Sequence, residues 1–180
     1  MKFMLRPQRR RNSQAGMSLI ELLIAGVVLV VGCAGIMALI IGAVGSNGRN
    51  KKDTSAAAVA QMVLERIQTL PEGSSTTTTV TDCAGTAWTI SSAAGNGALV
   101  SAGAVDYVNQ SYGSAPTNYK MKYVVCDANG QQTTYDVRWN IATATTHTSY
   151  VIIGSRPTGA ASGNLKFFAL PVTIRAMVGQ

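Results

Sequence analysis

The stretch from Gly16 to Val44, GMSLIELLIAGVVLVVGCAGIMALIIGAV, decides how this chain is organised. It is apolar almost throughout, and Glu21, near its start, is its one charged residue. The 23 residues from Leu22 to Val44 carry no charge. At about 1.5 Å per residue, a helix of that length reaches roughly 30 Å, the thickness of the hydrocarbon core of a bilayer. The stretch therefore predicts a helix that can span a membrane.

The leader, residues 1–16, is basic and contains no acidic residue; its cations are Lys2, Arg6, Arg9, Arg10 and Arg11. Positive charge beside an apolar span keeps that side of the span in the cytoplasm. The leader therefore predicts a cytoplasmic N-terminus, with everything after the span on the far side of the membrane.

Glu21 makes the apolar stretch more specific. A carboxylate deep in hydrocarbon costs about 3 kcal/mol on insertion scales, so an acid inside such a stretch is a functional hypothesis by default. The order of basic leader, Gly16, hydrophobic Met17, Glu21 and long apolar run resembles the class III signal of type IV prepilins and of type II secretion pseudopilins. The resemblance implies that a prepilin peptidase cuts between Gly16 and Met17 and methylates the new amine of Met17. It also implies that Glu21 acts in subunit assembly.

Three other interpretations of the stretch compete with this one. A secretory signal has an apolar core of about 7–15 residues. Ala43–Gly45 could supply its cleavage site, but the apolar run before that site is too long for such a core. The sequence Val30–Cys33 resembles a lipobox, but the chain stays apolar for eleven residues after the cysteine. A plain membrane anchor that is never processed is the third alternative.

Composition fits an exported domain of low charge. The chain has 180 residues and a net charge of +7, and five of its positive charges belong to the leader. The processed chain keeps ten Lys and Arg against eight Asp and Glu, a charge of about +2. The pI near 9.6 therefore reflects membrane topology and does not indicate nucleic-acid binding.

A second helical segment follows the apolar one. Between Arg49 and Leu70 an apolar stripe recurs at spacings of three and four residues: Val59, Met62, Val63, Ile67 and Leu70. Pro71 ends the pattern. The sequence Gly45–Gly48 is a possible weak point, and if the helix bridges it, one helix runs from about Ser18 to Leu70.

The remainder of the chain favours strands and turns. We expect a loop over Glu72–Thr79 and a mostly irregular segment over Ala98–Asn118. Asp127–Gly130 has strong turn chemistry between two strands. The predicted strands are Thr86–Ile90, Lys120–Cys126, Thr133–Ile141, Thr148–Ile153 and Leu165–Val178.

The strand Thr133–Ile141 alternates apolar and polar residues, which predicts that it is half buried. In the last strand Leu170, Val172, Ile174, Ala176 and Val178 are expected on one face, with Pro171 at an edge or bulge because proline cannot donate to a ladder. The predicted fold class is α+β, with a four-stranded antiparallel meander packed on the helix. This matches the fold that the resemblance to type IV pilins implies.

The cysteines fit an oxidising compartment. Cys33 lies in the apolar run, which leaves Cys83 and Cys126 for the head, either as a disulfide or as two buried thiols. A disulfide would close a loop of about 44 residues, worth roughly 4 kcal/mol on the chain-entropy model. Major pilins often carry their disulfide close to the C-terminus, whereas 54 residues follow Cys126 here, and this departure suggests a minor pilin.

No catalytic, metal-binding or cofactor motif occurs, so we expect no enzyme activity and no cofactor. The single histidine, His147, falls in a Thr-rich turn and is interpreted as a solvated loop residue. An aromatic and basic set could form a surface for DNA or a glycan, although core and loop packing explains it more simply: Tyr107, Tyr112, Tyr119, Tyr123, Lys120 and Lys122.

The sequence therefore divides into a cleaved leader (1–16), an apolar assembly and membrane segment (17–44), an amphipathic helical segment (45–70) and a β-rich head (71–180). It most resembles PilV-type minor pilins of a type IV pilus, functioning in adhesion, motility or DNA uptake. That resemblance implies other pilin subunits, the prepilin peptidase and the pilus assembly platform as partners. It places the chain in the bacterial inner membrane with a periplasmic head, and then in the pilus. A minor pseudopilin of a type II secretion system and an envelope-anchored binding module that never polymerises are the alternatives.

Overall fold

A computed structural model describes residues 18–70, 77–158 and 170–179 of the chain. The architecture is α+β, with one long helix followed by antiparallel sheets. The chain divides into two compact units, Met1–Ser46 and Asn47–Gln180. The predicted cleavage site between Gly16 and Met17 lies outside the described residues.

Helix α1 spans Leu19–Gln68. The carbonyl of Ser18 accepts hydrogen bonds from the backbone N–H groups of Glu21 and Leu22, so the helical bonding begins there. The sequence Gly45–Gly48, predicted as a possible weak point, is helical. Glycine in a helix interior costs up to about 1 kcal/mol relative to alanine, which a long helix can absorb.

The second half of α1 has one buried stripe, made of Ala56, Val59, Ala60, Val63 and Ile67. This stripe confirms the predicted apolar face for its three large residues and adds two alanines on the same side. Alanine allows the helix to approach the sheet closely, and both alanines are completely buried. The side chains of Met62 and Leu70 are only partly buried.

The described residues after the helix form nine strands. They are β1 (Thr77–Thr81), β2 (Ala87–Ser91), β3 (Asn96–Gly97), β4 (Val100–Ser101), β5 (Ala104–Val105), β6 (Lys120–Cys126), β7 (Gln132–Thr145), β8 (Thr148–Thr158) and β9 (Val172–Gly179). All their pairings are antiparallel.

The main sheet is the predicted meander, in the order β6, β7, β8, β9. Strand β3 adds two residues to the same edge of β7 that β6 uses, where Asn96 pairs with Ile141. The Asp127–Gly130 turn joins β6 to β7, and Gly130 adopts the positive φ that this turn requires. His147 is exposed in the turn between β7 and β8.

The core lies between α1 and the inner face of the main sheet, the face that packs on the helix. It contains the alternate residues of β7 (Tyr135, Val137, Trp139 and Ile141), which are all essentially inaccessible. Met121 of β6 and Ile153 of β8 pack with them. Trp139 donates its indole N–H to the carbonyl of Ser91 at 2.9 Å, so the largest core side chain has no unsatisfied polar atom.

The predicted loop over Glu72–Thr79 is wrong at its C-terminal end. Residues 77–79 belong to β1, which pairs with β2 in a separate two-stranded sheet. Threonine is β-branched and suits a strand, and Val80 fixes the register by burying its side chain in the core. Polar composition alone suggested a loop, and this one apolar residue outweighs it.

The segment Ala98–Asn118 is mostly irregular, as expected, but it contains the small hairpin of β4 and β5. The two turn residues, Ala102 and Gly103, have φ of 49° and 75°. Positive φ at both central positions is the type I′ geometry that matches the twist of a two-residue hairpin.

The last strand is shorter than predicted. Strand β9 begins at Val172, so Pro171 stands immediately before it, where its missing N–H disturbs no ladder. Leu170 is 79% exposed and does not join the apolar face. Val172, Ile174 and Val178 do pack on the core as predicted, and positions 165–169 lie outside the described residues.

A disulfide joins Cys83 and Cys126, with a Cα–Cα distance of 6.0 Å. It ties the turn of the β1–β2 hairpin to the end of β6. Beside it, the carboxylate of Asp82 accepts hydrogen bonds from the backbone of Thr86 at 2.8 Å and the indole of Trp88 at 3.0 Å. Burial by itself raises the pKa of Asp82, but these bonds, with two more from Val124 and Ala84, outweigh it and hold that pKa below its ordinary value.

Candidate functional site

Two regions of the chain have surfaces that the packing of the head does not explain. The first is the apolar half of α1, defined as Leu19–Val44. Its large hydrophobic side chains are between 54% and 82% exposed. It is long and apolar enough to cross a membrane, as is no other helix among the described residues. A surface of this size requires lipid or other protein to cover it, since monomeric soluble proteins rarely expose such a patch.

Glu21 lies in the first turn of this apolar half and is exposed. The helix face around it is apolar, with Ile24, Ala25 and Val28 following at spacings of three, four and seven residues. No Lys or Arg occurs between residues 18 and 48. The described part of the apolar half therefore contains no cation for this carboxylate.

Cys33 is exposed near the middle of the same half. The cleavage residues Gly16 and Met17 lie before the described part, so the structure places Glu21 but does not place them. The processing and assembly roles of these three positions stay predictions.

The second region is the outer face of the main sheet, opposite the helix. Lys120 and Lys122 of β6, Arg138 of β7 and Arg156 of β8 lie on this face, together with one carboxylate, Asp136. The pairing places Lys122, Asp136 and Arg156 side by side across three strands. We call these five side chains the cationic grid.

Asp136 and Arg138 form the centre of the grid. Both are almost fully buried, and the guanidinium binds the carboxylate in a bidentate way, with Nε donating at 2.8 Å and Nη2 at 2.6 Å. The remaining Nη1 donates to the carbonyl of Gln110. Alternation predicted that these polar residues face solvent, and that expectation is wrong because the segment from Ala98 to Asn118 covers them.

Tyr107 holds the covering segment to the sheet. Its hydroxyl donates to the carbonyl of Asp136 at 3.1 Å, and Gly154 of β8 has no side chain where the ring lies. A Cβ at Gly154 would approach the Tyr107 ring and hydroxyl to between 2.8 and 2.9 Å. The guanidinium carbons of Arg138 and Arg156 lie 4.7 Å and 4.3 Å from the centre of this ring. Burial, followed by the charge of Asp136, raises the pKa of Tyr107 strongly.

Tyr112 lies over the β6 side of the grid. The amines of Lys120 and Lys122 are 5.1 Å and 5.0 Å from the centre of its ring. The Lys120 amine also donates to the carbonyls of Tyr112 and Gly113, both at 2.9 Å. Burial and the nearby Asp136 carboxylate raise the pKa of Tyr112. One half-buried ring therefore meets two ammonium groups.

The predicted aromatic and basic set is divided between the two faces. Tyr107 and Tyr112 join the lysines on the outer face. Tyr119 is buried on the inner face, where its hydroxyl donates to the carbonyl of Ala93 at 2.7 Å, and Tyr123 packs against the same core. Sequence reasoning missed the two arginines, although the two-residue period of β7 and β8 would have placed them beside the lysines.

Among the described residues, no group of three or more His, Cys, Asp or Glu side chains could hold a metal ion. No family model, no curated protein and no solved structure matches the chain.

Proposed function

We propose that this chain is a minor pilin, a membrane-inserted subunit that a prepilin peptidase processes and that takes part in assembling or modifying a type IV pilus. One observation carries the proposal. The inner face of the sheet buries only the second half of α1, while the apolar half presents large side chains and a carboxylate to its surroundings.

Lipid accounts for the apolar side chains but not for Glu21. An unpaired acid in hydrocarbon is costly, whereas a helix that leaves lipid for a bundle of similar helices can meet a cation there. In the proposed mature chain, that cation is the α-amine of Met17, of the same subunit or a neighbour. At about 4 Å and an effective dielectric near 20, the attraction is roughly 4 kcal/mol before desolvation. This is enough to offset the burial cost and to set the axial register of the subunits.

The Glu21→Gln variant tests the proposal. It keeps the size of the side chain and removes the charge, so it should still insert and be cleaved, yet be depleted from sheared pili relative to membranes. Glu65→Gln is the matched control, since Glu65 is an exposed acid on the second half of the same helix. Normal incorporation of Glu21→Gln would refute the pairing, and uncleaved precursor would show that Glu21 serves the peptidase instead.

Mass spectrometry of the mature N-terminus tests processing directly. A methylated Met17 is the expected result. A lipid-modified Cys33, or an N-terminus beyond Gly45, would overturn the proposal.

A minor pseudopilin of a type II secretion system is the second candidate, because the exposed apolar half and Glu21 would serve it equally. Deletion of the gene separates the two, with loss of twitching and adhesion expected for a pilin and loss of protein export for a pseudopilin. An envelope-anchored binding module would retain its leader or show no incorporation into any filament.

A further inference from the structure

We propose that the outer face of the head binds a carboxylated sugar of an acidic polysaccharide. In this site Tyr112 is the stacking ring, and Lys122 and Arg156 are the cations that receive the carboxylates. This inference concerns the head alone and stands or fails independently of filament assembly.

The outer face carries a net positive charge. The grid holds four cations against one carboxylate, and the other outward positions that pair with it (Val124, Thr134, Gly154 and Thr158) are uncharged. The covering segment adds one acid, Asp106, whose Oδ1 accepts bonds from the backbone N–H groups of Val108 and Asn109 in its own turn. A surplus of positive charge thus remains on a chain that is otherwise low in charge.

The cations differ in how many of their N–H donors are already bonded within the protein. Arg138 is buried and bonded at every nitrogen, and Lys120 is held by two backbone carbonyls. Lys122, by contrast, is exposed. The Arg156 side chain is 35% exposed and touches Asp136 through one nitrogen at 3.4 Å. An arginine has five N–H donors, so most of the donors of Arg156 remain available to a ligand carboxylate.

The ring is held ready for its ligand. Because the Lys120 amine donates to the successive carbonyls of Tyr112 and Gly113, the segment that carries the ring is fixed before any ligand binds. The face of an aromatic ring is negative, and the cations of Lys120, Lys122 and Arg138 lie over the Tyr112 ring. A pyranose carboxylate that binds the Lys122 amine, 5.0 Å from the ring centre, brings the weakly positive C–H bonds of the sugar against the part of the ring that stays exposed.

The spacing of the cations indicates a polymer. Lys122 and Arg156 flank Asp136 from opposite sides on strands two apart, which separates their backbones by about 10 Å. They are placed to contact carboxylates on different sugar residues of a chain. Arg175 of β9 pairs with Ile152 and is a further exposed cation on the outer face. A single-stranded nucleic acid, whose binding also uses cations and stacking rings, is therefore the competitor that the test has to exclude.

The test uses the full-length protein in detergent micelles and isothermal titration calorimetry at low salt. The probe is an oligogalacturonate, with its methyl ester as the matched ligand, because esterification removes the charge and keeps the rings. We expect the acid to bind and the ester to bind at least tenfold more weakly. Lys122→Gln should weaken binding of the acid about fivefold. Lys52→Gln, which removes an exposed lysine charge from α1, should leave it unchanged.

Tyr112→Leu keeps an apolar side chain and removes the stacking ring, so it should also lose binding while the circular dichroism of the head is retained. Four results would overturn the proposal: no binding of the acid, equal binding of acid and ester, equal losses in the two lysine variants, or tighter binding of a single-stranded oligonucleotide of the same charge. If Tyr112→Leu unfolds the head, the comparison of Lys122→Gln with Lys52→Gln decides.

Discussion

Both faces of the main sheet contain buried side chains, the outer face at its centre around Asp136 and Arg138, but different chemistry covers them. The inner face presents Val137, Trp139 and Ile141 to a helix, and its stability comes from apolar area. The outer face presents Asp136 and Arg138 to an irregular segment, and its packing depends on an ion pair and backbone carbonyls. A strand with a clean apolar and polar alternation can therefore be covered on both sides, because the buried charges of its polar side are paired.

The largest expected effect comes from breaking the buried ion pair. Arg138→Met leaves the Asp136 carboxylate buried with only a weak contact to Arg156, so we expect a loss of about 3–5 kcal/mol in the free energy of unfolding. Thermal or denaturant unfolding followed by tryptophan fluorescence measures it, because Trp88 and Trp139 both lie in the head.

Lys51→Met is the matched control for this change. Lys51 pairs with Asp127 at 3.1 Å, but its side chain is 65% exposed, and exposed pairs contribute at most about 1 kcal/mol. Equal losses in the two variants would mean that the outer face is not held by its charges. Replacing both Arg138 and Asp136 by apolar residues should recover much of the loss.

The next effect concerns how the covering segment fits. Gly154→Ala places a Cβ within 2.9 Å of the Tyr107 ring and of the Val105 Cβ, so one of them has to move. We expect about 1–3 kcal/mol of destabilisation, typical of overpacking. In the parent protein, burial raises the pKa of Tyr107. If the Tyr107 ring is displaced in the variant, an ultraviolet titration should show one more tyrosine that ionises near the ordinary pKa of about 10.

Gly179→Ala in β9 is the control, since its Cβ would approach the nearest atom only to 4.0 Å. If Gly154→Ala changes neither the tyrosine titration nor the stability, the close packing of Tyr107 and Val105 against β8 is contradicted.

The inner face was predictable and the outer face was not, for physical reasons. The period of Tyr135, Val137, Trp139 and Ile141 identifies a buried strand face, because apolar side chains need only a nonspecific cover. The burial of Asp136 depends on a guanidinium two residues away and on carbonyls of a distant segment, which no local pattern contains.

The difference between local signals and distant contacts also explains the outcome of the predictions for α1 and β1. The stripe of Val59, Val63 and Ile67 on α1 was predicted, because helical spacing is a local signal. The first three residues of β1, Thr77–Thr79, were predicted as part of a loop because threonine is polar, and their place in a strand depends on pairing with β2. The Gly16, Met17 and Glu21 roles rest on sequence alone and stay predictions.

A third effect contrasts two buried carboxylates. Asp136 faces arginine, whereas Asp82 is held by neutral donors that lower its pKa against the effect of burial. A carboxyl group with a lowered pKa stabilises the fold at pH values above its unfolded pKa of about 3.9, and this contribution is lost as the pH falls through the lower folded value. Asp82→Asn should cost about 1–2 kcal/mol at neutral pH.

The pH dependence of the free energy of unfolding tests the role of the Asp82 carboxylate. The difference in stability between the parent and Asp82→Asn should be constant above about pH 5 and should shrink as the pH falls below about 4. Unfolding measured between pH 2 and pH 7 would show this directly. A difference that stays constant down to pH 2 would mean that the carboxylate charge contributes nothing.

The smallest effect lies on the inner face and has the opposite sign. Ser155 is completely buried on β8, and its hydroxyl has no hydrogen-bond partner within the described structure. A buried hydroxyl without a partner costs about 1–3 kcal/mol, so Ser155→Ala should stabilise the head by about 1 kcal/mol once the small loss of packing is counted. Ser91→Ala is the matched control, because the buried Ser91 hydroxyl donates to the Tyr119 hydroxyl at 3.0 Å and its loss should destabilise the head. If Ser155→Ala destabilises the head as much as Ser91→Ala does, the Ser155 hydroxyl makes a stabilising polar contact on the inner face. The stability of that face would then not come from apolar area alone.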